Sequence, residues 1–422
     1  MDKTNIPENA MILAQDRYYS LDCIETQLNN NVLVVGPSGA GKTRSIVSPN
    51  ILQAIGSYLI VDPKGNLYGK YAQYLRKHGY EVRKLNFADP EDPQTCSYNF
   101  FRYIHSEQDV LKIAHMLIKS GYVNGMTNHQ DPFWDDAAEL LLIALIGHLS
   151  FHTPPAKRTL PNLLQMLSFC DPSAFYCGDK TNLDRVFDNA ESEYGHDFSV
   201  SAYRLFRQAA DRTLQSILIT VSSKLAAFNT KELQKLFSRN TVPVAEMGNR
   251  KTALFVVVSD TDRCMDPMAN LFFTQAMNEL VRIADGTKTQ MLPIPVRFLL
   301  DDFATNVSIS EFPRMIASIR SRNISVMLMI QAESQLTKAF GDDGRTVVGN
   351  CDTYVFLGTN DPATAKSVAE RANVLLGEML YMPVGTNWIF RRGQRPVYSE
   401  NFKLEPFADE KMRDQKVMSS RG

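Results

Sequence analysis

Residues 31–43 read NVLVVGPSGAGKT, a short β-branched run that passes directly into a glycine-rich loop ending in Lys-Thr. Strand, glycine-rich loop and helix, in that order, present backbone N–H groups to phosphate. Gly36, Pro37, Ser38, Gly39, Ala40, Gly41, Lys42 and Thr43 match GxxxxGK[ST] without deviation. Average residue frequencies produce such a match in a chain of this length on the order of one time in a hundred. In that geometry the N–H groups of Gly39, Ala40 and Gly41 face phosphate oxygens, Lys42 reaches the β- and γ-phosphates, and the Thr43 hydroxyl ligates Mg²⁺. ATP with Mg²⁺ is the expected ligand.

Working outward, SYLIV at 57–61 ends at DPKG, EVRKLNF at 81–87 has strand character, and KYAQYLRKHGY between them carries helical spacing. Strands resume at ALFVVV (253–258), RFLL (297–300), SVMLMI (325–330) and TYVFLG (353–358). Apolar strands alternating with helices predict an α/β fold with a mostly parallel sheet. From about 105 to 235 the pattern changes to successive helices, EQDVLKIAHMLIKS, FWDDAAELLLIALIGHL and DRTLQSILITVSSKLAAF. The expected organisation is therefore a discontinuous nucleotide-binding domain, 1–104 with 236–407, interrupted by an all-α domain at 105–235. Asp131-Pro132 is a sound helix entry, with Asp as cap, Pro in the first turn and Asp135 and Asp136 near the positive end of the dipole. From Ala408 the chain has few apolar residues and is expected to be a solvated tail, 408–422.

The chain has 422 residues, 44% hydrophobic and 22% charged, with a formal net charge of -1. That is a soluble globular composition, and any contact with nucleic acid must come from local basic patches. Six scattered cysteines without a CxxC pair, and seven histidines without HExxH, argue against a zinc site or a disulfide scaffold. The longest apolar stretch, AAELLLIALIGHL at 137–149, is too short to span a bilayer and is expected to be a buried helix. The first residues, MDKTNIPENA, lack the basic-then-apolar layout of a signal peptide. A soluble chain without a transmembrane segment is expected.

The segment PVRFLLDDFATNV, 295–307, ends an apolar strand on two adjacent acids. Asp301 is placed to hold Mg²⁺ beside the phosphate loop, and Asp302 to orient or deprotonate an attacking water. A turn or capping acid is the bland alternative for both. Asp302 stands where many nucleotide hydrolases carry Glu, one methylene longer, and a misplacement of about 1 Å can cost roughly a hundredfold in rate. Gln331 is the first polar residue after SVMLMI, at the C-terminal strand edge where parallel sheets build sites, and is either a γ-phosphate sensor or a loop residue. Arg320 and Arg322, two apart, do not share a helix face. One of them is a candidate arginine finger for a neighbouring subunit, against a surface salt bridge as the alternative. DPKG at Asp62–Gly65 is compatible with a plain turn, and LRKHGYEVRK and RRGQR (391–395) are either DNA-backbone patches or ordinary surface.

With these residues in hand, the chain resembles the conjugative coupling proteins of type IV secretion systems, the TraG/TraD-type DNA-transfer ATPases. These are a ring-forming branch of the RecA-like motors related to chromosome-pumping translocases. The resemblance runs along most of the chain, through GPSGAGKT continued into VSPN, SYLIVDPKGNLYGKYAQYLRKHGYEV, SYNFFRYI, DPFWDDAAELLLIAL, RTLQSILIT, VRFLLDDFA, IASIRSRNISVMLMIQAESQL and GNCDTYVFLGTNDPATAK. It accounts for Pro49 inside a helix, since the family commonly reads Pro-Asn there. It implies a RecA-like P-loop NTPase domain interrupted by the all-α domain, the latter docking substrate. It also implies a homo-hexamer in which ATP hydrolysis moves DNA with its attached relaxase, or relaxosome protein, toward the secretion channel.

Site roles implied by the resemblance are Lys42 and Thr43 on nucleotide and Mg²⁺, Asp301 as Walker B acid, Gln331 as sensor and Arg320 as finger. The family usually carries transmembrane helices before the motor. Action at the cytoplasmic face of the bacterial membrane, through an N-terminal anchor or a partner protein, is accordingly expected. A nucleotide-binding substrate receptor with little hydrolysis is the alternative function. A P-loop GTPase or transport ATPase is disfavoured, because neither NKxD nor LSGGQ occurs.

Overall fold

The structure, a computed structural model, describes residues 6–119, 132–171, 179–305, 307–409 and 411. The chain divides into two compact units, one of Met1–Lys84, Pro243–Asp260 and Ala276–Gly422, the other of Leu85–Val242 and Thr261–Gln275.

In the first unit, a two-stranded hairpin, β1 (Ala10–Ala14) and β2 (Arg17–Ser20), precedes the main sheet. The sheet strands are β3 (Val32–Val35), β4 (Ser57–Val61), β5 (Glu81–Asn86), β6 (Thr252–Val257), β7 (Val296–Leu300), β8 (Ile324–Ile330), β9 (Thr353–Phe356), β10 (Thr386–Arg391) and β11 (Val397–Glu400). Their spatial order is β11-β10-β9-β3-β8-β7-β4-β6-β5. From β9 to β6 the pairing is parallel, and β10 pairs antiparallel with both β9 and β11. Strands β3, β4, β6, β7 and β9 are buried at every position, which explains their continuous apolar runs. The seven expected strands are present, while the hairpins at 10–20 and 386–400 escaped sequence reading. Neither shows a clean apolar-in, polar-out pattern: β1 is wholly buried, and β11 alternates between half-buried and exposed positions with none buried.

The helix after the phosphate loop begins as a π-helical turn, Thr43–Val47, and continues as Ser48–Leu52. Ser48 N donates to the Thr43 carbonyl, five residues back. The widened turn shifts the ladder just before Pro49, which has no N–H to give, so the proline is absorbed without a break. Asn50 then donates from Nδ2 to the Ile46 and Ile12 carbonyls and accepts from Ile12 N. One buried amide thus ties this helix to β1.

The second unit is helical apart from the last residues of β5, among the described residues. Its long helix, Pro132–His152, contains the apolar stretch at 137–149, and the Asp131 expected as its cap lies outside the described residues. Gly147 sits where a Cβ would come within 3.0 Å of Ser199 Cβ, which lets the helix Phe198–Arg207 approach closely. Asp197 caps that second helix at Val200 N and also meets His152 Nε2 at 2.5 Å. Asp135, expected near the helix dipole, is buried and lies 3.4 Å from the Lys224 ammonium.

This unit starts earlier than position 105 and ends later than 235. An aromatic cluster is the reason: Phe87, Tyr98, Phe237 and Phe272 pack edge and face, with Tyr98 and Phe272 centroids 5.1 Å apart. Those rings bring 85–104, 236–242 and 261–275 into one core. At the C-terminus, Ala408 does not begin a solvated tail; residues 404–409 are helical and Ala408 packs against the core of the first unit. Residues 412–422 lie outside the described residues. No helix among the described residues is long and apolar enough to cross a membrane.

Candidate nucleotide site

A cleft of about 430 Å³ runs along the C-terminal edge of the parallel strands. Five adjacent strands each deliver polar residues to it: the phosphate loop follows β3, Gln331 follows β8, Asp301 and Asp302 follow β7, Asp62 follows β4 and Asp260 lies beyond β6. A parallel sheet aligns its carboxyl ends, so residues far apart in sequence converge there.

Gly39 and Gly41 have φ of +80° and +89°, a left-handed conformation in which any Cβ would be strained. These two glycines turn the loop. Lys42 is buried, and its ammonium donates to the carbonyls of Gly36 at 2.5 Å and Pro37 at 3.1 Å, folding back over its own loop. Burial lowers the Lys42 pKa, opposed by the charges of Asp302 and Asp301. Behind the loop, Asn401 Nδ2 donates to the Ala40 carbonyl at 3.4 Å and bonds Asn387 Nδ2 through its Oδ1. The unforeseen hairpin of β10 and β11 therefore braces the phosphate loop.

Thr43 Oγ1 donates to Asp301 Oδ2 at 2.7 Å. Asp301 is 7% exposed, and burial raises its pKa; the Thr43 hydroxyl and the Lys42 charge oppose the rise, while Asp302 adds to it. A carboxylate in this position is electrostatically under-compensated and suited to a hard cation. Among the described residues no group of three or more His, Cys, Asp or Glu forms a protein-only metal cage. One carboxylate and one hydroxyl beside a phosphate loop fit Mg²⁺, which keeps water and phosphate oxygens as its remaining ligands.

Asp302 occupies the left-handed region at φ +51°, followed by Ala304 at +65°. Its N–H donates to Asp301 Oδ1 at 3.1 Å, and its carbonyl accepts from Thr305 N at 3.2 Å, so the pair of acids is locked in a tight turn. Asp and Asn tolerate this conformation better than Glu does. Gln331 lines the cleft from an exposed position, with its backbone N–H held by Gln335 Oε1 at 2.7 Å. Gln335 Nε2 donates in turn to Thr305 Oγ1 at 2.9 Å. One glutamine bridges the turn carrying Asp302 and the strand end carrying Gln331.

Arg320 does not join this cleft. It lies in the 3-10 turn Ile319–Arg322 before β8, at the opposite edge of the sheet, and donates from Nη2 to the Cys23 carbonyl at 3.1 Å. Six strand steps at about 3.3 Å separate the two edges by about 20 Å, so Arg320 serves no phosphate in its own chain. Arg322 is engaged by a bidentate pair with Asp285, at 2.8 and 3.1 Å.

Asp62, Lys64, Lys70 and Asp260 also line the cleft and were not singled out as site residues. Asp62 is buried and caps the helix Asn66–Lys77 by accepting from Tyr68 N at 3.0 Å; burial raises its pKa against that help. The signal was available, since Asp62 follows an apolar strand as Asp301 does. In the RRGQR cluster, Arg392 pairs bidentately with Asp352 and Arg391 lies over the Tyr19 ring at 4.7 Å. Those two arginines are structural.

A family model described as "Type IV secretory system Conjugative DNA transfer" matches residues 5–375. Among curated proteins, "Protein VirD4" of Rhizobium radiobacter is 23% identical over 389 residues, covering 88% of this chain and 51% of that protein. "Conjugal transfer protein TraG" of Escherichia coli is 21% identical over 355 residues, covering 80% and 54%. The chain spans about half the length of the curated relatives it matches. Among solved structures, the plasmid coupling protein TrwB in complex with the ATP analogue ADPNP superposes with a TM-score of 0.64 at 15% identity, covering 95% of this chain and 90% of that one. VirB4 of Thermoanaerobacter pseudethanolicus gives a TM-score of 0.57 at 15% identity, covering 97% and 99%. The likeness to TrwB bears out the RecA-like P-loop fold.

Proposed function

This chain belongs to the type IV secretory system conjugative DNA transfer family, and on that premise we propose that it is the ATP-hydrolysing motor part of a coupling protein. It binds ATP with Mg²⁺ in the cleft at the C-terminal strand edge, recruits DNA with its attached relaxase, and drives the DNA toward the secretion channel at the bacterial membrane. The observation that carries this reading is the 2.7 Å hydrogen bond between Thr43 and Asp301 in the cleft that Lys42 also lines. TrwB structures in complex with ADPNP and with ADP and Mg²⁺ support the choice of ligand.

Lys42 leaves the Gly36 and Pro37 carbonyls to contact the β- and γ-phosphates, while the N–H groups of Gly39, Ala40 and Gly41 cradle them. Mg²⁺, held by Thr43 and Asp301, supplies charge neutralisation to the phosphate oxygens. Asp302 accepts a proton from, or orients, the attacking water, and Gln331 reports on the γ-phosphate. Arg320, on the far edge, reaches the phosphate of a neighbouring copy, which makes the proposed assembly a homo-hexameric ring with shared sites. The helical unit is the docking surface for the relaxase or relaxosome protein.

A second reading, a nucleotide-binding receptor that scarcely hydrolyses, is favoured by one observation: Asp302 is short and sits in a turn at φ +51°. Phosphate release measured against protein concentration, with and without DNA, separates the two. A motor shows DNA-stimulated release that rises with concentration and is lost in Lys42→Ala and Asp301→Asn. Intact ATP binding with no release at any concentration would leave only the receptor.

A further inference from the structure

A second cavity, of about 250 Å³, lies at the N-terminal edge of the parallel strands in the first unit, the edge opposite the nucleotide cleft. Arg297, the second residue of β7, lines it and is 8% exposed. Its guanidinium has neither a hydrogen bond nor an ion pair to any described residue. The ionisable groups acting on it are Tyr58, Cys23 and Tyr80, none of them an anion at neutral pH. A buried cation without a counter-charge is costly, and packing alone does not require an arginine there.

Arg320 stands at the rim of the same cavity, exposed, and donates from Nη2 to the Cys23 carbonyl at 3.1 Å. Among the described residues one carboxylate lines the wall, Asp22, and it is turned to the backbone, accepting from Ile24 N at 2.8 Å and Glu25 N at 3.0 Å. Two guanidiniums against one occupied carboxylate leave the cavity net positive. Leu21, Met291 and Pro295 add apolar wall, which strengthens charge interactions inside.

We propose that this cavity is a binding site for a free tetrahedral oxyanion of the phosphate class, held by Arg297 at the floor and Arg320 at the rim. Guanidinium forks match such oxyanions in geometry as well as charge. The walled shape selects a free ion over a polymer, because a nucleic-acid backbone needs an open groove to track along. The site uses no residue of this chain's own nucleotide cleft; Arg320 is the one residue it shares with the proposed motor, in which the same side chain faces a neighbouring copy.

Cys23, on the cavity wall, is a built-in reporter. Its alkylation by iodoacetamide, read by peptide mass spectrometry, is followed in the Lys42→Ala chain without nucleotide, with chloride exchanged for inorganic phosphate at constant ionic strength. The Lys42 change keeps phosphate bound at the nucleotide loop out of the reading. Phosphate is expected to slow alkylation along a saturable curve, about tenfold at ten times the half-saturating concentration. Arg297→Met abolishes that protection, and Arg320→Ala moves half-saturation upward by about tenfold. Undiminished protection in both arginine variants, or no saturable effect over chloride, overturns the site. Should Arg297→Met fail to fold, the exposed Arg320→Ala variant decides alone. Failure of ATP hydrolysis leaves the result untouched.

Discussion

The Thr43 hydroxyl donates to the Asp301 carboxylate across 2.7 Å, joining residues 258 positions apart in sequence. The bond holds in place a carboxylate whose charge burial opposes. A raised native pKa means that the stability associated with Asp301 is full below the unfolded value near 3.8 and is lost as pH rises through the native pKa. At neutral pH the ionised acid therefore costs stability without a cation. Asp301→Asn keeps an acceptor for Thr43 and removes the charge. Its melting temperature without nucleotide is expected to equal or exceed that of the parent, while Mg²⁺-dependent phosphate release falls by at least about a hundredfold, about 2.7 kcal/mol of barrier.

Asp302 offers a separate test through its backbone. At φ +51° the residue sits where Asp and Asn are tolerated and Glu is not helped by its longer chain. Asp302→Glu is expected to lower stability by about 1 kcal/mol and not to raise turnover. Asp302→Asn should keep stability within about 0.5 kcal/mol and lose DNA-stimulated hydrolysis. Full activity in Asp302→Asn would remove Asp302 from the role of base.

Gln335 acts at one remove. Accepting from Gln331 N and donating to Thr305, it couples the two segments that present Gln331 and Asp302. Gln335→Ala is expected to lower kcat by about tenfold to a hundredfold with little change in KM, since misplacement rather than lost binding is the defect. Gln335→Glu keeps the acceptor for Gln331 and loses the donor to Thr305. Its kcat should fall between the two, which a purely structural glutamine would not produce.

The helical unit carries its own pH dependence. Burial lowers the His148 pKa to about 4, with the neighbouring His152 adding to the effect and Asp197 opposing it. A depressed histidine contributes stability above its unfolded value near 6.5, and that stability is lost as pH falls through about 4. Thermal melts between pH 7 and pH 4 should show a decline in this window that His148→Leu flattens. Equal slopes in both chains would place the titrating group elsewhere.

Legibility followed the range of the physics. Seven strands declared themselves by apolar or strand-prone runs, five of them buried at every position, and the phosphate loop by glycines whose spacing meets a local backbone need at Gly39 and Gly41. The hairpin of β10 and β11 gave no such signal, because antiparallel strands with an exposed face need neither continuous apolarity nor fixed turn residues. Asp62 looked like part of a turn because its partners are backbone N–H groups of a helix that begins four residues later.

By itself, then, the sequence determined what depends on near neighbours: strand identity, the loop, and the acid at the end of β7. Pro49 was legible as a conflict, and only the π-helical turn before it showed how the conflict is resolved. Tertiary structure alone decided the strand order that lays Asp62, Asp301 and Gln331 along one edge. It also separated the paired arginines, binding Arg322 to Asp285 and leaving Arg320 at the rim of a cavity with Arg297. The reason is that charge pairing and desolvation act through space, between residues that chain spacing does not relate.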